Sequence, residues 1–161
     1  MELTWKGNLL GNFKVKENQT LVGHLYDKNW MGDVALGEVG NEKYSFVKKS
    51  IFSNEVLITA QLQGKPVGRI LYNVWNSKAT IYIDGLTYTW RYENFLYTKW
   101  CVENTDGDKI RFESNFLSGG KISANGNDSL QILIGLYVYR YFQISMYFVL
   151  FITLFTLKTL F

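Results

Sequence analysis

Alternating apolar and polar positions fill the chain from Leu3 to Ala124. They form runs of about four to eight residues, rich in β-branched and aromatic types, and each run stops at a turn built on Gly, Asn or Asp. The pattern predicts about twelve β-strands in the usual length range. We expect them to begin near Leu3, Phe13, Leu21, Asp33, Lys43, Glu55, Pro66, Lys78, Leu86, Tyr97, Lys109 and Ser118.

Two segments predict β-hairpins with particular clarity. In "ATIYIDGLTYTWRY", two alternating runs flank Asp84-Gly85, and in "KWCVENTDGDKIRFES" they flank Asp106-Gly107. Asp-Gly tolerates the positive φ angles of a tight type I′ turn, so such runs pair as antiparallel strands.

A faint internal repeat supports a single closed sheet. The segment "LVGHLYDKNWMGDVAL" aligns with "PVGRILYNVWNSKATI", as expected of duplicated β-meanders. An open sheet of this many strands would have edges to protect, and closure removes them. We therefore predict a mainly β (α+β) chain folded as a closed antiparallel barrel.

The last segment, "SLQILIGLYVYRYFQISMYFVLFITLFTLKTLF", has Arg140 and Lys158 as its charged residues. Its apolar residues point in nearly all directions around a helix, so no face is left for water. Asp128 and Ser129 stand where a helix N-cap belongs. A helix from there to Phe161 would be roughly 50 Å long, longer than a barrel of short strands is tall. Two different environments are therefore expected along it.

Arg140 divides this segment in two. Residues 128–140 are too few to span a bilayer and suit a helix enclosed by the barrel. Residues 141–161 have the apolar density of a membrane span. We thus predict a barrel with its enclosed helix over residues 1–140, and an apolar tail over 141–161 that is a candidate transmembrane anchor. The alternative is one bent core helix, or a helix pair, in a soluble protein.

Several residues are candidates for contact with lipid. Aromatic and cationic clusters are enriched at membrane interfaces, and a lysine near a span's end can extend to the head groups. Adjacent lysines can face anionic lipid, although scattered solvated lysines are the plainer interpretation. The interface candidates are Tyr139, Arg140, Tyr141 and Lys158, and the candidate lipid-facing basic residues are Lys48 and Lys49.

Charge narrows the choice of partners. The formal net charge is +3, from 17 Lys and Arg against 14 Asp and Glu. Arg140 and Lys158 belong to the apolar segment, so the rest of the chain is close to neutral. A duplex nucleic acid partner needs basic residues gathered on one face, and we expect none. The opening "MELTWKGNLL" lacks the features of a secretory signal peptide, so we expect a cytoplasmic body.

No arrangement of side chains identifies a reaction, a metal or a cofactor. The single histidine, His24, is expected to be a surface strand residue on the face opposite Leu21 and Leu25. The single cysteine, Cys101, is expected to be an unreactive thiol in a reducing compartment. Asp106 and Asp108 resemble the start of a calcium loop but lack its later ligands, and "LSGGKIS" lacks the spacing of a phosphate loop. Both segments are expected to be turns. We expect no enzymatic activity.

About twelve short strands separated by turns, followed by an apolar helix, resemble the tubby C-terminal-like group, which includes LURP-one-related proteins and phospholipid scramblases. The segments that carry the resemblance are "GKPVGRI", "IYIDGLTYTW", "WCVENTDGDKI" and "NDSLQILIGLYVYRYF". It covers roughly Leu3 to Phe142. The resemblance implies a barrel around a hydrophobic helix, and an apolar extension past that helix is similar to scramblase-like members.

These observations favour a non-enzymatic, membrane-associated protein whose barrel stands at the cytoplasmic surface and binds lipid head groups or a protein partner. One alternative is a soluble barrel that binds an apolar small molecule or has an unrecognised hydrolytic activity. Another is a structural subunit whose apolar tail lies in a partner's groove.

Overall fold

Twelve β-strands and one helix make up the computed structural model, which describes residues 1–8, 11–28, 33–50, 53–115, 118–126 and 128–160. Each strand begins within two residues of its predicted start. The elements are β1 (Glu2–Gly7), β2 (Phe13–Glu17), β3 (Thr20–Asp27), β4 (Val34–Val39), β5 (Glu42–Lys48), β6 (Glu55–Ala60), β7 (Lys65–Asn73), β8 (Lys78–Ile83), β9 (Leu86–Tyr92), β10 (Lys99–Asn104), β11 (Lys109–Ser114), β12 (Gly119–Ser123) and α1 (Ser129–Leu160).

The sheet closes on itself, as predicted. Every strand pairs antiparallel with its neighbours in sequence, and β1 pairs with β12 to complete the barrel. In the closing pair, Leu3 lies opposite Ile122 and Trp5 opposite Gly120. No strand edge is therefore left open among the paired strands β1 to β12.

Both predicted hairpins are present. Asp84 and Gly85 join β8 to β9 with φ angles of 48° and 81°, which is the pair of positive angles that a type I′ turn requires. The turn containing Asp106-Gly107 joins β10 to β11. Because a β-strand is pleated, successive side chains point to opposite faces of the sheet. In β8, Ala79, Ile81 and Ile83 accordingly all point into the core.

One strand departs from the simple alternation. The pairing of β2 with β3 shifts register, so that Val15 lies opposite Gly23 but Lys16 lies opposite Leu21. The extra residue of this β-bulge turns Leu21 outward, where 52% of it is exposed, whereas Leu25 is fully buried. The expectation that Leu21 and Leu25 share one face is therefore wrong.

Helix α1 runs through the barrel as one continuous helix. Its buried part fills the space between the strands, where the Trp90 indole Nε1 donates a hydrogen bond to the Gly135 carbonyl at 3.0 Å. A Cβ atom on Gly135 would lie 2.8 Å from Cε2 of Phe112, so only glycine fits this close approach. The barrel and the first part of α1 thus share one core.

Candidate functional site: the exit end of the barrel

The two ends of the barrel differ in how they meet α1. Gln131 near the helix start donates a hydrogen bond to the Tyr88 hydroxyl early in β9, whereas Phe142 stacks on Trp90 and lies near Tyr92, the last residue of β9. The helix therefore runs in the same direction as β9. We call the end where β9 finishes and α1 leaves the barrel the exit end, and the other end, near Ser129, the opposite end.

Burial along α1 changes sharply at the exit end. Leu136 and Val138 are fully buried, and Phe142 is 6% exposed. Two residues later Ile144 is 40% exposed, and Phe148 is 63% exposed. One helix turn is about 5.4 Å, so the helix passes from the core to an uncovered apolar surface within about two turns.

Aromatic side chains line the exit end around α1. Tyr139 stacks on Trp100 with ring centroids 3.9 Å apart, and Tyr141 stacks on Tyr72 at 3.8 Å. Burial raises the pKa of the Tyr72 hydroxyl well above its ordinary value, so this group stays neutral. Tyr139 and Tyr141, two of the predicted interface residues, are thus engaged with the barrel wall.

Arg140 forms a buried ion pair that sequence reasoning did not find. Its Nη2 donates to Oδ2 of Asp27, and only 10% and 11% of the two side chains are exposed. Removal from water raises the pKa of the Asp27 carboxyl, while the neighbouring guanidinium acts in the opposite direction. Asp27 Oδ1 and Arg140 Nε have no hydrogen-bond partner in the described part of the chain.

The predicted basic residues lie at the exit end or in the tail. Lys48 ends β5, and its Nζ lies 5.6 Å from the centroid of the Tyr141 ring. Lys49 follows it, largely exposed, with its Nζ 3.3 Å from Oε2 of Glu55. Lys158 is exposed in the last turn of α1. Contact of these residues with lipid stays a prediction, as it does for Tyr139, Arg140 and Tyr141.

Two neighbouring connections at the exit end expose large apolar side chains. Trp75, between β7 and β8, is 98% exposed, and Phe95, between β9 and β10, is 85% exposed. Val74 and Leu96 stand beside them at 45% and 55%. The sequence analysis did not single out Trp75 or Phe95. The available signal was that each adjoins a second apolar residue inside a predicted turn.

A groove joins the β9–β10 connection to α1. It has a volume of about 380 Å³ and is lined by Leu96 and Tyr97 from the connection and by Met146 and Tyr147 from the helix, among other residues. Apolar side chains of the helix and of this connection therefore line the same groove at the exit end.

A second, larger cavity lies at the opposite end. Its volume is about 460 Å³, and it lies between strands β1 to β4 and the start of α1. Leu3, Val15, Val39 and Leu133 give it a largely apolar lining. Cavities of this size can hold a small molecule.

His24 and Cys101 show ordinary structural roles. His24 Nε2 is 2.9 Å from Asn12 Oδ1, to which it donates in the matching tautomer, and burial together with Lys14 lowers the pKa of its ring. Cys101 is fully buried, with Arg91 and Arg111 as its cross-strand neighbours. Burial raises the pKa of its thiol to about 11, so the nucleophilic thiolate is scarce near neutral pH.

Of the two loop-like motifs, the segment with Asp106 and Asp108 is a turn, as expected, whereas the expectation that "LSGGKIS" is a turn is wrong, because residues 119–123 form strand β12. The Asn104 side chain accepts hydrogen bonds from the backbone N–H groups of Asp106 and Asp108, at 3.0 and 2.8 Å, which fixes the β10–β11 turn. Gly119 and Gly120 open strand β12 and pair with β1. Among the described residues, no group of three or more His, Cys, Asp and Glu side chains could hold a metal ion.

By length and composition, α1 is the one described helix that is long and apolar enough to cross a membrane, a test that the core helix of a soluble protein can also pass. Comparison of the chain with protein families, curated proteins and solved structures found no match.

Proposed function

We propose that this chain is a non-enzymatic, membrane-anchored barrel protein. The tail of α1 crosses the bilayer, and the barrel stands at the cytoplasmic surface, where it binds lipid head groups or a protein partner. The observation that carries the proposal is the change in burial along α1. Ten of the fourteen residues from Ile144 to Leu157 are large hydrophobic residues that are 40% exposed or more. Exposed apolar surface on this scale is rare in soluble monomers.

The burial of its first part indicates that α1 has two roles, as a core helix inside the barrel and as a membrane span beyond it. A core helix of a soluble protein buries its apolar residues, as Leu133, Ile134 and Leu136 do. The ten large hydrophobic residues counted between Ile144 and Leu157 have no such cover. Lipid can surround such a helix, because its backbone N–H and C=O groups are hydrogen-bonded within the helix and its apolar side chains need no contact with water.

Similarity to the tubby C-terminal-like group is part of the same proposal. A closed antiparallel barrel around a hydrophobic helix is the architecture that the resemblance implies, and the chain has it. On this proposal the protein acts by attachment and recognition, with Lys48 and Lys49 placed at the exit end where head groups would stand.

Membrane fractionation of two chains tests the anchor. One is the full chain and the other ends at Gln143, which keeps Phe142 in the core. We expect only the full chain to stay in the pellet after a carbonate wash, and the shorter chain to be soluble with unchanged β-sheet circular dichroism. A full chain that carbonate releases into the supernatant would contradict the proposal.

The cavity at the opposite end favours a second candidate function, the binding of an apolar small molecule by a soluble barrel. Its apolar lining and its volume of about 460 Å³ are the supporting observations. The same fractionation separates the two candidates, since this one predicts a full chain that is soluble without detergent.

A further inference from the structure

We propose that the exit end of the barrel also contacts the bilayer directly, by inserting Trp75 and Phe95 with their neighbours Val74 and Leu96 at the level of the lipid head groups. The inference rests on the proposed anchor but goes beyond it, because it assigns a membrane-binding surface to the barrel itself. The two connections that carry these residues lie side by side, since β8 pairs with β9.

The exposure of these side chains is the first argument. Trp75 at 98% and Phe95 at 85% are the two most exposed large hydrophobic residues of the described chain. A large aromatic side chain contributes about 150–250 Å² when buried, and its exposure to water is unfavourable. Aromatic residues, tryptophan in particular, are enriched where a bilayer meets water.

The continuity of α1 is the second argument. The helix has no break between Phe142, which is buried, and Phe148, which is exposed. Six residues of helix span roughly 9 Å, so the apolar surface of the helix begins close to the barrel. No linker separates the two, and a bilayer that covers Phe148 is therefore brought against the exit end.

The groove beside α1 is the third argument. Leu96 and Tyr97 face the same groove as Met146 and Tyr147 of the helix. Apolar side chains of the helix and of the β9–β10 connection thus line one groove, together with polar residues such as Thr98 and Gln143. A bilayer around the helix would meet this connection first.

The described connections of the exit end contain two carboxylates, those of Asp33 and Glu93, whereas the opposite end has more. Its connections contain Asp84, Asp106, Asp108 and Asp128, with Leu62 as the large apolar residue. Carboxylates are repelled by the anionic cytoplasmic leaflet.

Site-directed fluorescence quenching on the full chain tests the proposal. Single cysteines replace Trp75, Phe95 or Leu62 (Trp75→Cys, Phe95→Cys, Leu62→Cys) and carry an environment-sensitive fluorophore. Leu62 is the matched control, because it is 79% exposed in a connection at the opposite end. Cys101 stays in place, since it is fully buried, and the unmodified chain measures any labelling of it. Vesicles of phosphatidylcholine and phosphatidylserine contain lipids with a quencher at the head group.

We expect quenching at positions 75 and 95 to exceed that at position 62 by at least about threefold. Quenching at 75 and 95 no greater than at 62, in chains that resist carbonate extraction, would overturn this inference and leave the anchor intact. Release of all the labelled chains and the unmodified chain by carbonate would overturn the anchor and this inference together.

Discussion

At the scale of single residues, Arg140 shows how burial changes the role of a charged side chain. Its position between two tyrosines in an apolar segment suggested a cation at the membrane interface. The structure places it against Asp27, with about a tenth of each side chain exposed. A buried ion pair depends on both partners, because either one alone is a desolvated charge.

We predict that Asp27→Leu lowers the free energy of unfolding by about 3–5 kcal/mol, because it leaves Arg140 charged and unpaired. Adding Arg140→Met to this variant removes the stranded charge and is expected to recover much of the loss. Denaturant unfolding of the full chain in detergent measures both changes.

Glu113→Gln is the matched control for that prediction. Glu113 pairs with Lys99 at 2.9 Å, but the two side chains are 53% and 52% exposed. An exposed pair contributes about 1 kcal/mol or less. If Asp27→Leu costs no more than Glu113→Gln, the buried pair has no special role in stability.

Asp27 could not be assigned to this pair from the sequence. It lies 113 positions before Arg140, and pairing at that distance depends on the closure of the barrel. The local pattern predicts that a residue lies on a strand and which face it occupies. It does not predict which residue of a distant element comes to lie opposite it.

At the scale of elements, the strands were predictable because their signals are local. Asp84-Gly85 marks a turn by its own conformational preferences, and alternation on either side marks the strands. Leu21 was misplaced because a bulge shifts register without a strong mark in the sequence. Trp75 and Phe95 were not singled out because the local pattern predicts strands and turns but not how exposed a side chain in a turn will be.

The helix was predicted by its composition, and its enclosed part was predicted to end at Arg140. Burial continues past Arg140 to Phe142, which stacks on Trp90. That limit depends on how far strand β9 reaches along the helix, and the sequence of α1 contains no such information. Composition thus predicted that α1 has an enclosed part and an apolar tail, and the structure shows that the enclosed part ends at Phe142.

We predict opposite effects for one substitution placed in the two parts of α1. Leu136→Asp puts a carboxylate at a fully buried position and should abolish folding. Leu150→Asp changes a position that is 52% exposed, so the barrel should fold as before. It should still weaken retention in membranes, since a charge in a span costs about 3 kcal/mol.

Circular dichroism and carbonate extraction measure the two outcomes in the same preparations. Leu150→Ala serves as a control that shortens the side chain without adding charge. Equal membrane retention of Leu150→Asp and Leu150→Ala would argue that this part of α1 lies outside the bilayer.

At the scale of the whole molecule, stability depends on a closure that joins the two ends of the β region. Strand β1 has β2 on one side and β12 on the other. Thr4 lies in the middle of the pairing with β12, opposite Lys121, and at the end of the pairing with β2, opposite Lys16. The enclosed part of α1 is covered only while this closure holds, so the strands and the helix core should open together.

We predict that Thr4→Pro opens the barrel, because proline cannot donate to a strand ladder and is excluded from interior strands. The natural Pro66 is tolerated beside a register shift at the start of β7. Cys101, on the distant strand β10, reports the opening. Its thiol is buried and has a pKa of about 11, so a thiol reagent should modify it near neutral pH chiefly when the barrel opens.

With Thr4→Pro we expect the rate of Cys101 modification to rise at least about tenfold, since each 1.4 kcal/mol of lost stability multiplies the open population by about ten. Thr4→Val keeps the backbone N–H and a β-branched shape at this exposed position, so its rate should equal that of the unmodified chain. A rate in Thr4→Pro equal to that in Thr4→Val would mean that β10 remains closed when β1 is disrupted. The barrel would then open locally, and the cover over α1 would not depend on the β1–β12 closure.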